Sequence, residues 1–143
     1  MNEDDDFNKL IQTLQKKIDE KEESIYSKKV IEEYRKPIYF GKIKKPDASA
    51  KIKGSCGDTM KIDLKIKNQK IIDTRFWTDG CGASIACGNM LSKMIKGKTI
   101  EKAEKITNKK ILKELDGLPD EHKHCSVLCI DTLKKCIKNY YKK

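Results

Sequence analysis

Three cysteines stand where thiol chemistry is easiest to arrange. Cys81 lies in Thr78-Asp79-Gly80-Cys81-Gly82-Ala83-Ser84, Cys56 in Gly54-Ser55-Cys56-Gly57-Asp58, and Cys125 in His122-Lys123-His124-Cys125-Ser126. Glycine allows backbone turns closed to other residues and lets the chain come close to a bound ion, so thiols in the first two segments sit on tight, accessible turns. Two of the three have a second donor beside them: Asp58 two positions after Cys56, and His124 immediately before Cys125. Thiolates suit zinc and iron-sulfur clusters. An ordinary stable cluster takes four cysteines. Three thiolates with one carboxylate or imidazole would hold a cluster less firmly and allow ligand exchange, as a protein that makes and gives away clusters requires.

The spacing alone is weak. Cys56 and Cys81 are 25 residues apart and Cys81 and Cys125 are 44 apart, unlike the close pairs of a zinc finger. The fold must therefore bring the three together. Buried core residues are the bland alternative for any free cysteine, but polar and glycine neighbours argue against it for Cys56, Cys81 and Cys125. Cys87, Cys129 and Cys136 have the opposite weighting. Cys129 falls one helical turn beyond Cys125, and Cys136 two turns further, on a face shared with Leu133 and Tyr140, so core packing explains them, with Cys129 as a spare sulfur near the site. His122 reads as background.

The elements that would position these residues follow from periodicity. Phe7, Ile11, Leu14, Ile18 and Ile25 recur at helical spacing among charged residues, an amphipathic helix whose seam docks on the domain or on a partner helix. A second helical pattern around Val30, Ile31 and Tyr34 ends at Lys36-Pro37, because the residue before proline is pushed out of helical geometry. From Ala50 the period becomes two. Met60, Ile62, Leu64 and Ile66 share a face opposite Lys61, Asp63, Lys65 and Lys67, Asn68-Gln69 marks a turn, and Ile72, Thr74 and Phe76 line the returning strand. Helices follow over Ala83 to Ile95, from Thr99, from Thr107, and from Ser126 to Tyr140, with Cys125 at the edge of the last. The reading is an α+β fold, a small antiparallel three-stranded sheet packed against several helices. It divides into an N-terminal helical extension, 1-27, and one domain, 28-143.

Composition bounds the rest. The chain has 143 residues, enough for one domain. Its net charge of +10 is uneven, since residues 1-27 carry eight acids against four lysines and leave the remainder at +14. Such a surface can attract nucleic acid or an acidic protein patch. The lysines are scattered along helices and strands and there is one Trp, so nucleic acid is not the expected partner. No apolar run approaches the roughly 20 residues needed to span a bilayer, and the acidic stretch Met1 to Asp6 is the reverse of a targeting signal. A soluble cytoplasmic protein with six reduced cysteines is expected.

At the level of motifs, the chain resembles the IscU/NifU-type scaffolds for iron-sulfur cluster assembly. The resemblance runs from about Val30 to Tyr141. It rests on Cys56-Gly57-Asp58-Thr59-Met60, Gly80-Cys81-Gly82-Ala83-Ser84-Ile85-Ala86, Lys96-Gly97-Lys98-Thr99, and Leu118-Pro119 leading to His124-Cys125-Ser126. It implies a scaffold rather than an enzyme, with Cys56, Cys81 and Cys125 plus Asp58 or His124 holding a [2Fe-2S] cluster, or zinc when no cluster is present. It implies iron binding, a cysteine desulfurase as sulfur donor, apo proteins as acceptors, and Cys125 as the thiol that takes the persulfide. That thiol would sit accessibly at a helix start with Lys123 beside it.

The chain also departs from the family pattern. The chaperone-recognition motif Leu-Pro-Pro-Val-Lys reads Leu118-Pro119-Asp120-Glu121-His122 here, which speaks against a dedicated Hsp70-type partner. The usual Asn-Pro segment reads Lys36-Pro37-Ile38-Tyr39. No insertion separates Cys81 from His124, which argues against the alternative, a zinc-dependent sulfurtransferase. A structural zinc domain is the third reading, and a homo-oligomer through the N-terminal helix is compatible with all three.

Overall fold

The computed structural model describes residues 3–143, with side chains from Asp5 onward. Its elements are helix α1 (Glu3–Ile25), helix α2 (Lys28–Arg35), strands β1 (Ala48–Lys53), β2 (Thr59–Lys67) and β3 (Lys70–Thr78), then helices α3 (Gly82–Ile95), α4 (Ile100–Glu104) and α5 (Asn108–Glu114). A 3-10 turn at Asp120–His122 leads into the last helix, α6 (His124–Tyr141). The strands form one antiparallel sheet in the order β1-β2-β3. Asn68 and Gln69 join β2 to β3 at φ of 53° and 66°. Two consecutive positive φ values are what a tight hairpin turn needs to match the strand twist. Among the described residues, no helix is long and apolar enough to cross a membrane.

Met60, Ile62 and Leu64 face inward as their alternation requires, and each is at most 2% exposed. β3 departs from its expected phase. The alternation assigns Ile72 to the inner face, yet Ile71 is fully buried and Ile72 is 45% exposed. The register explains the difference: Lys65 faces Asp73 while Ile66 faces Ile71, so Ile72 is the extra residue of a β-bulge. Such an insertion reverses which side chains point inward beyond it.

The outer face is not simply solvent. The segment leading to β1 closes the free edge of β3, with Phe76 N–H donating to Tyr39 O (3.0 Å) and Gly41 N–H donating to Phe76 O (2.8 Å). It then crosses the sheet, and Ile43 N–H donates to Asp63 Oδ2 (3.0 Å). Ser49 Oγ donates to Asp63 Oδ1 (2.6 Å). Asp63, expected on the polar side, is therefore buried, and these bonds offset the cost of removing a carboxylate from water.

α3 and α6 pack on the inner face of the sheet. α3 is apolar or small on nearly every side, and at Gly88 an added Cβ would lie 2.4 Å from Phe76 Cδ2, so only glycine lets the helix come this close to β3. Asn89 accepts from Tyr39 N–H (3.0 Å) and donates to Glu33, whose other oxygen takes Lys93 Nζ. This buried group ties α2 and the crossing segment to α3. Thr99 and Thr107 cap α4 and α5 through their side chains, and Ser27 caps α2 in the same way. The N-terminal helix is different, because Phe7, Leu10, Ile11, Leu14, Ile18 and Ile25 remain 45–62% exposed. It is held near its C-terminal end by Arg35, 2.8 Å from Asp19 and 2.6 Å from Glu22.

Candidate metal centre

Three helix or hairpin starts meet at one end of the sheet, and each delivers a cysteine. Cys56 is exposed on the turn between β1 and β2, a turn closed by Gly54 N–H donating to Asp58 O (2.7 Å). Asp79 Oδ1 accepts from Thr59 N–H (2.7 Å) and Thr78 Oγ1 donates to Thr59 O (2.7 Å), fixing this turn to the end of β3. Cys81 follows β3 directly as the N-cap residue of α3, and Cys125 lies in the first turn of α6. At Gly80 an added Cβ would meet Ser84 Oγ at 2.6 Å and Asp58 Oδ2 at 2.8 Å. Glycine there is what allows Asp58 and the start of α3 to close on each other.

The donors fall into two adjoining groups. In each of them, Cys81–His122–Cys125 and Cys56–Asp58–His124, the donor atoms lie within 4.8 Å of one another. The groups touch through His124 Nε2, 3.8 Å from Cys125 Sγ. They also touch through Ser84 Oγ, which is 3.2 Å from Cys125 Sγ and 3.4 Å from Asp58 Oδ2. The five donors expected from the sequence are thus divided between the two groups, Cys81 and Cys125 in one and Cys56, Asp58 and His124 in the other, and the groups adjoin at Cys125, His124 and Ser84. A soft, thiol-rich set with one carboxylate and imidazoles fits zinc, iron or an iron-sulfur cluster better than it fits calcium or magnesium.

Electrostatics separates the thiols. The Cys81 thiol is lowered to about 4, first by a hydrogen bond from the Cys125 thiol, then by the backbone N–H groups of Ser84 and Ala83 and by the charge of His122, against the cost of its partial burial. These N–H groups are the unpaired donors at the start of α3. Cys125 moves the other way: its hydrogen bond to Cys81 and its burial push it up. It is 1% exposed. The expectation of an accessible, thiolate-favouring Cys125 is therefore corrected. α6 begins at His124 rather than Ser126, which turns Cys125 inward against α3, and the favoured helix start belongs to Cys81.

Sequence reasoning missed three participants. His122 is the first, with Nδ1 3.7 Å from Cys81 Sγ. The only signal was that both histidines of the chain lie within three residues of Cys125. Ser84, one turn into α3, is the second. Tyr26, from the joint between α1 and α2, is the third, with Oη 3.4 Å from His122 Nε2. Cys87, Cys129 and Cys136 are fully buried, and the Cys87 thiol is raised well above its ordinary value by its hydrogen bond with Cys129 and by burial.

Together these features describe an α+β domain with a thiol-rich donor set where the sheet meets two helix starts. The chain belongs to the family of the NifU-like N terminal domain, whose model matches residues 25–143. It is 42% identical over 120 residues to iron-sulfur cluster assembly scaffold protein IscU 1 of Archaeoglobus fulgidus, covering 83% of this chain and 78% of that one. It is 41% identical over 120 residues to the scaffold protein IscU of Azotobacter vinelandii, covering 80% and 93%. Among solved structures, the NifU-like N-terminal protein of Brucella abortus superposes with a TM-score of 0.66 at 22% identity, over 83% of this chain and 96% of that one. A putative scaffold protein for the SUF system from Fervidobacterium islandicum gives 0.68 at 24%, over 80% and 97%. At that identity the structures speak for the fold.

Proposed function

We propose that this protein is a scaffold on which [2Fe-2S] clusters are assembled and from which they are transferred, with no catalytic turnover of its own. The observation that carries the reading is the convergence of Cys56, Cys81 and Cys125 with Asp58 and His124 at one end of the domain. The names of the relatives, scaffold proteins for iron-sulfur cluster assembly, support it. The cluster is cargo. Iron and sulfide enter at exposed Cys56 and Cys81, and the hard Asp58 carboxylate supplies a weaker ligand for a soft cluster, which favours release. Zinc occupies the same donors when no cluster is present.

Sulfur comes from a cysteine desulfurase and the finished cluster goes to apo proteins. The Cys125 thiol takes the sulfane sulfur as a persulfide from the desulfurase's persulfide, which leaves as a thiol, once Cys125 is turned out from between α3 and α6. An external two-electron reductant, such as a thiol or a reduced electron-transfer protein, then converts that sulfur to the sulfide of the cluster. In the metal-free chain the exposed Cys81 thiolate meets a donor first. A reducing, cytoplasmic location belongs to this reading, because the site works through thiols that must stay reduced. Residues 1-27 form an extension whose exposed apolar seam, from Phe7 to Ile25, is suited to docking or to association with a partner helix, a second copy of the chain included.

The test is anaerobic purification with iron, sulfide and zinc analysis and a visible spectrum. Brown protein with equal iron and sulfide is expected. Colourless zinc protein unchanged by iron, sulfide and desulfurase would overturn the reading. Peptide mass spectrometry after desulfurase and cysteine without iron locates the persulfide.

A further inference from the structure

We infer that His122 is itself a ligand of the metal bound at this site, through Nδ1, and that Tyr26 is the residue that positions it. The inference rests on the reading that the site binds metal, and goes beyond it by adding a donor outside the three cysteines, Asp58 and His124.

Geometry carries the argument. Two ligands on one tetrahedral zinc, a sulfur at about 2.3 Å and a nitrogen at about 2.0–2.1 Å, stand about 3.6 Å apart. His122 Nδ1 and Cys81 Sγ are 3.7 Å apart. Cys125 completes a three-donor group with them, all within 4.8 Å of one another. The second group, Cys56, Asp58 and His124, has its own imidazole, so His122 does not merely duplicate His124.

The other ring nitrogen is the second strand of evidence. A metal-bound histidine commonly donates its remaining N–H to an oxygen that fixes its tautomer and orientation. His122 Nε2 faces Tyr26 Oη at 3.4 Å, and the two rings lie 5.8 Å apart at 52°. With its proton on Nε2 and directed to Tyr26, the imidazole leaves the Nδ1 lone pair toward Cys81 and Cys125. Tyr26 is held in turn by Tyr34 of α2, ring to ring at 6.1 Å and 71°. It is held as well by its neighbour Ser27, whose hydroxyl donates to Leu115 O (2.5 Å). A ring restrained on one nitrogen and aimed with the other at two thiols has the arrangement of a ligand rather than of a surface side chain.

The test uses the full chain with zinc or cobalt(II) alone. Because the chain has two histidines, the ring nitrogens can be followed by long-range proton–nitrogen NMR as zinc is added. His122 Nδ1 is expected to move to a metal-bound shift while Nε2 stays protonated. In chelator competition, Tyr26→Phe should weaken zinc about 10-fold, within the range of outer-shell losses. His122→Ala should weaken it further and alter the cobalt(II) ligand-field bands. A folded His122→Ala chain with native zinc affinity and an unchanged cobalt spectrum would overturn the inference and leave the metal site standing. So would an unmoved His122 Nδ1 in the native chain when zinc binds, a result that does not depend on any variant folding. A native chain that takes up neither metal would remove the metal-site reading itself.

Discussion

Cys81 and Cys136 are the same residue in opposite surroundings. Cys81 is exposed at a helix start, receives hydrogen bonds from unpaired backbone N–H groups and from the Cys125 thiol, and has its thiol lowered to about 4. Cys136 is in the middle of α6, where the backbone N–H groups are already used by the helix; its Sγ donates to Ile62 O (3.5 Å), and burial followed by the charge of Asp63 pushes it up to about 12. The other four sort by position as well. Cys56 and Cys125 sit on a turn and in a first helical turn at the donor cluster, while Cys87 and Cys129 pair inside the core. Position at a turn or at the start of a helix, rather than residue type, decides which thiols reach the donor cluster, and packing then decides that Cys56 and Cys81 are exposed while Cys125 is buried.

The largest expected effect comes from removing one member of each class. Cys81→Ser should weaken zinc binding by roughly 100-fold or more, beyond the usual cost of losing an outer-shell partner. Cys136→Ser should leave affinity within a few-fold and lower stability by about 1 kcal/mol. Chelator competition and thermal melts measure the two, and equal metal loss in both variants would erase the distinction.

Next is a change that strikes the core end alone. Gly88→Ala forces a Cβ against the Phe76 ring, whose nearest carbon is 2.4 Å away, and overpacking of this kind costs about 1–3 kcal/mol. The melting temperature should fall while zinc affinity, measured well below it, stays native. Lost affinity would mean that core packing and donor geometry are coupled.

The reactivity of the thiols in the metal-free chain sharpens the contrast further. A thiol lowered to about 4 is already ionised at pH 6, so alkylation of Cys81 should be nearly independent of pH from 6 to 8. An ordinary thiol near 8.5 gains about tenfold per unit over that range. Cys136 should react only after unfolding. Peptide mapping of iodoacetamide-treated protein that finds Cys136 labelled alongside Cys81 at pH 6 would break the contrast.

The smallest effect is on stability at high pH. Cys136 keeps its proton in the folded chain up to about 12, whereas in the unfolded chain a cysteine loses it near 8.5. Above that lower value the folded state binds more protons than the unfolded one, so stability falls as pH rises toward 12. Cys136→Val should flatten this fall between pH 9 and 11 in denaturant titrations. An identical slope in the variant would remove Cys136 as its source.

Much of the framework was legible in the sequence because its signals are local. The change of period at Met60 to Ile66, the Asn68-Gln69 turn, and the caps at Thr99 and Thr107 each follow from a few neighbouring residues. The three glycine- or histidine-flanked cysteines stood apart from the mid-helix ones for the same reason. What escaped was set by contacts across the chain. Ile72 turned outward because of a bulge that exists only in pairing with β2. Asp63 became buried because a segment about 20 residues away crosses it. Cys125 lost its exposure because α6 starts earlier and leans on α3. His122 gained its place through Cys81, 41 residues earlier, and Tyr26, 96 residues earlier. The sequence by itself determined which thiols stand at a turn or a helix start, since that is written in adjacent residues. Only the tertiary structure decided which thiol is exposed and which imidazole faces it, since both depend on how separate elements pack.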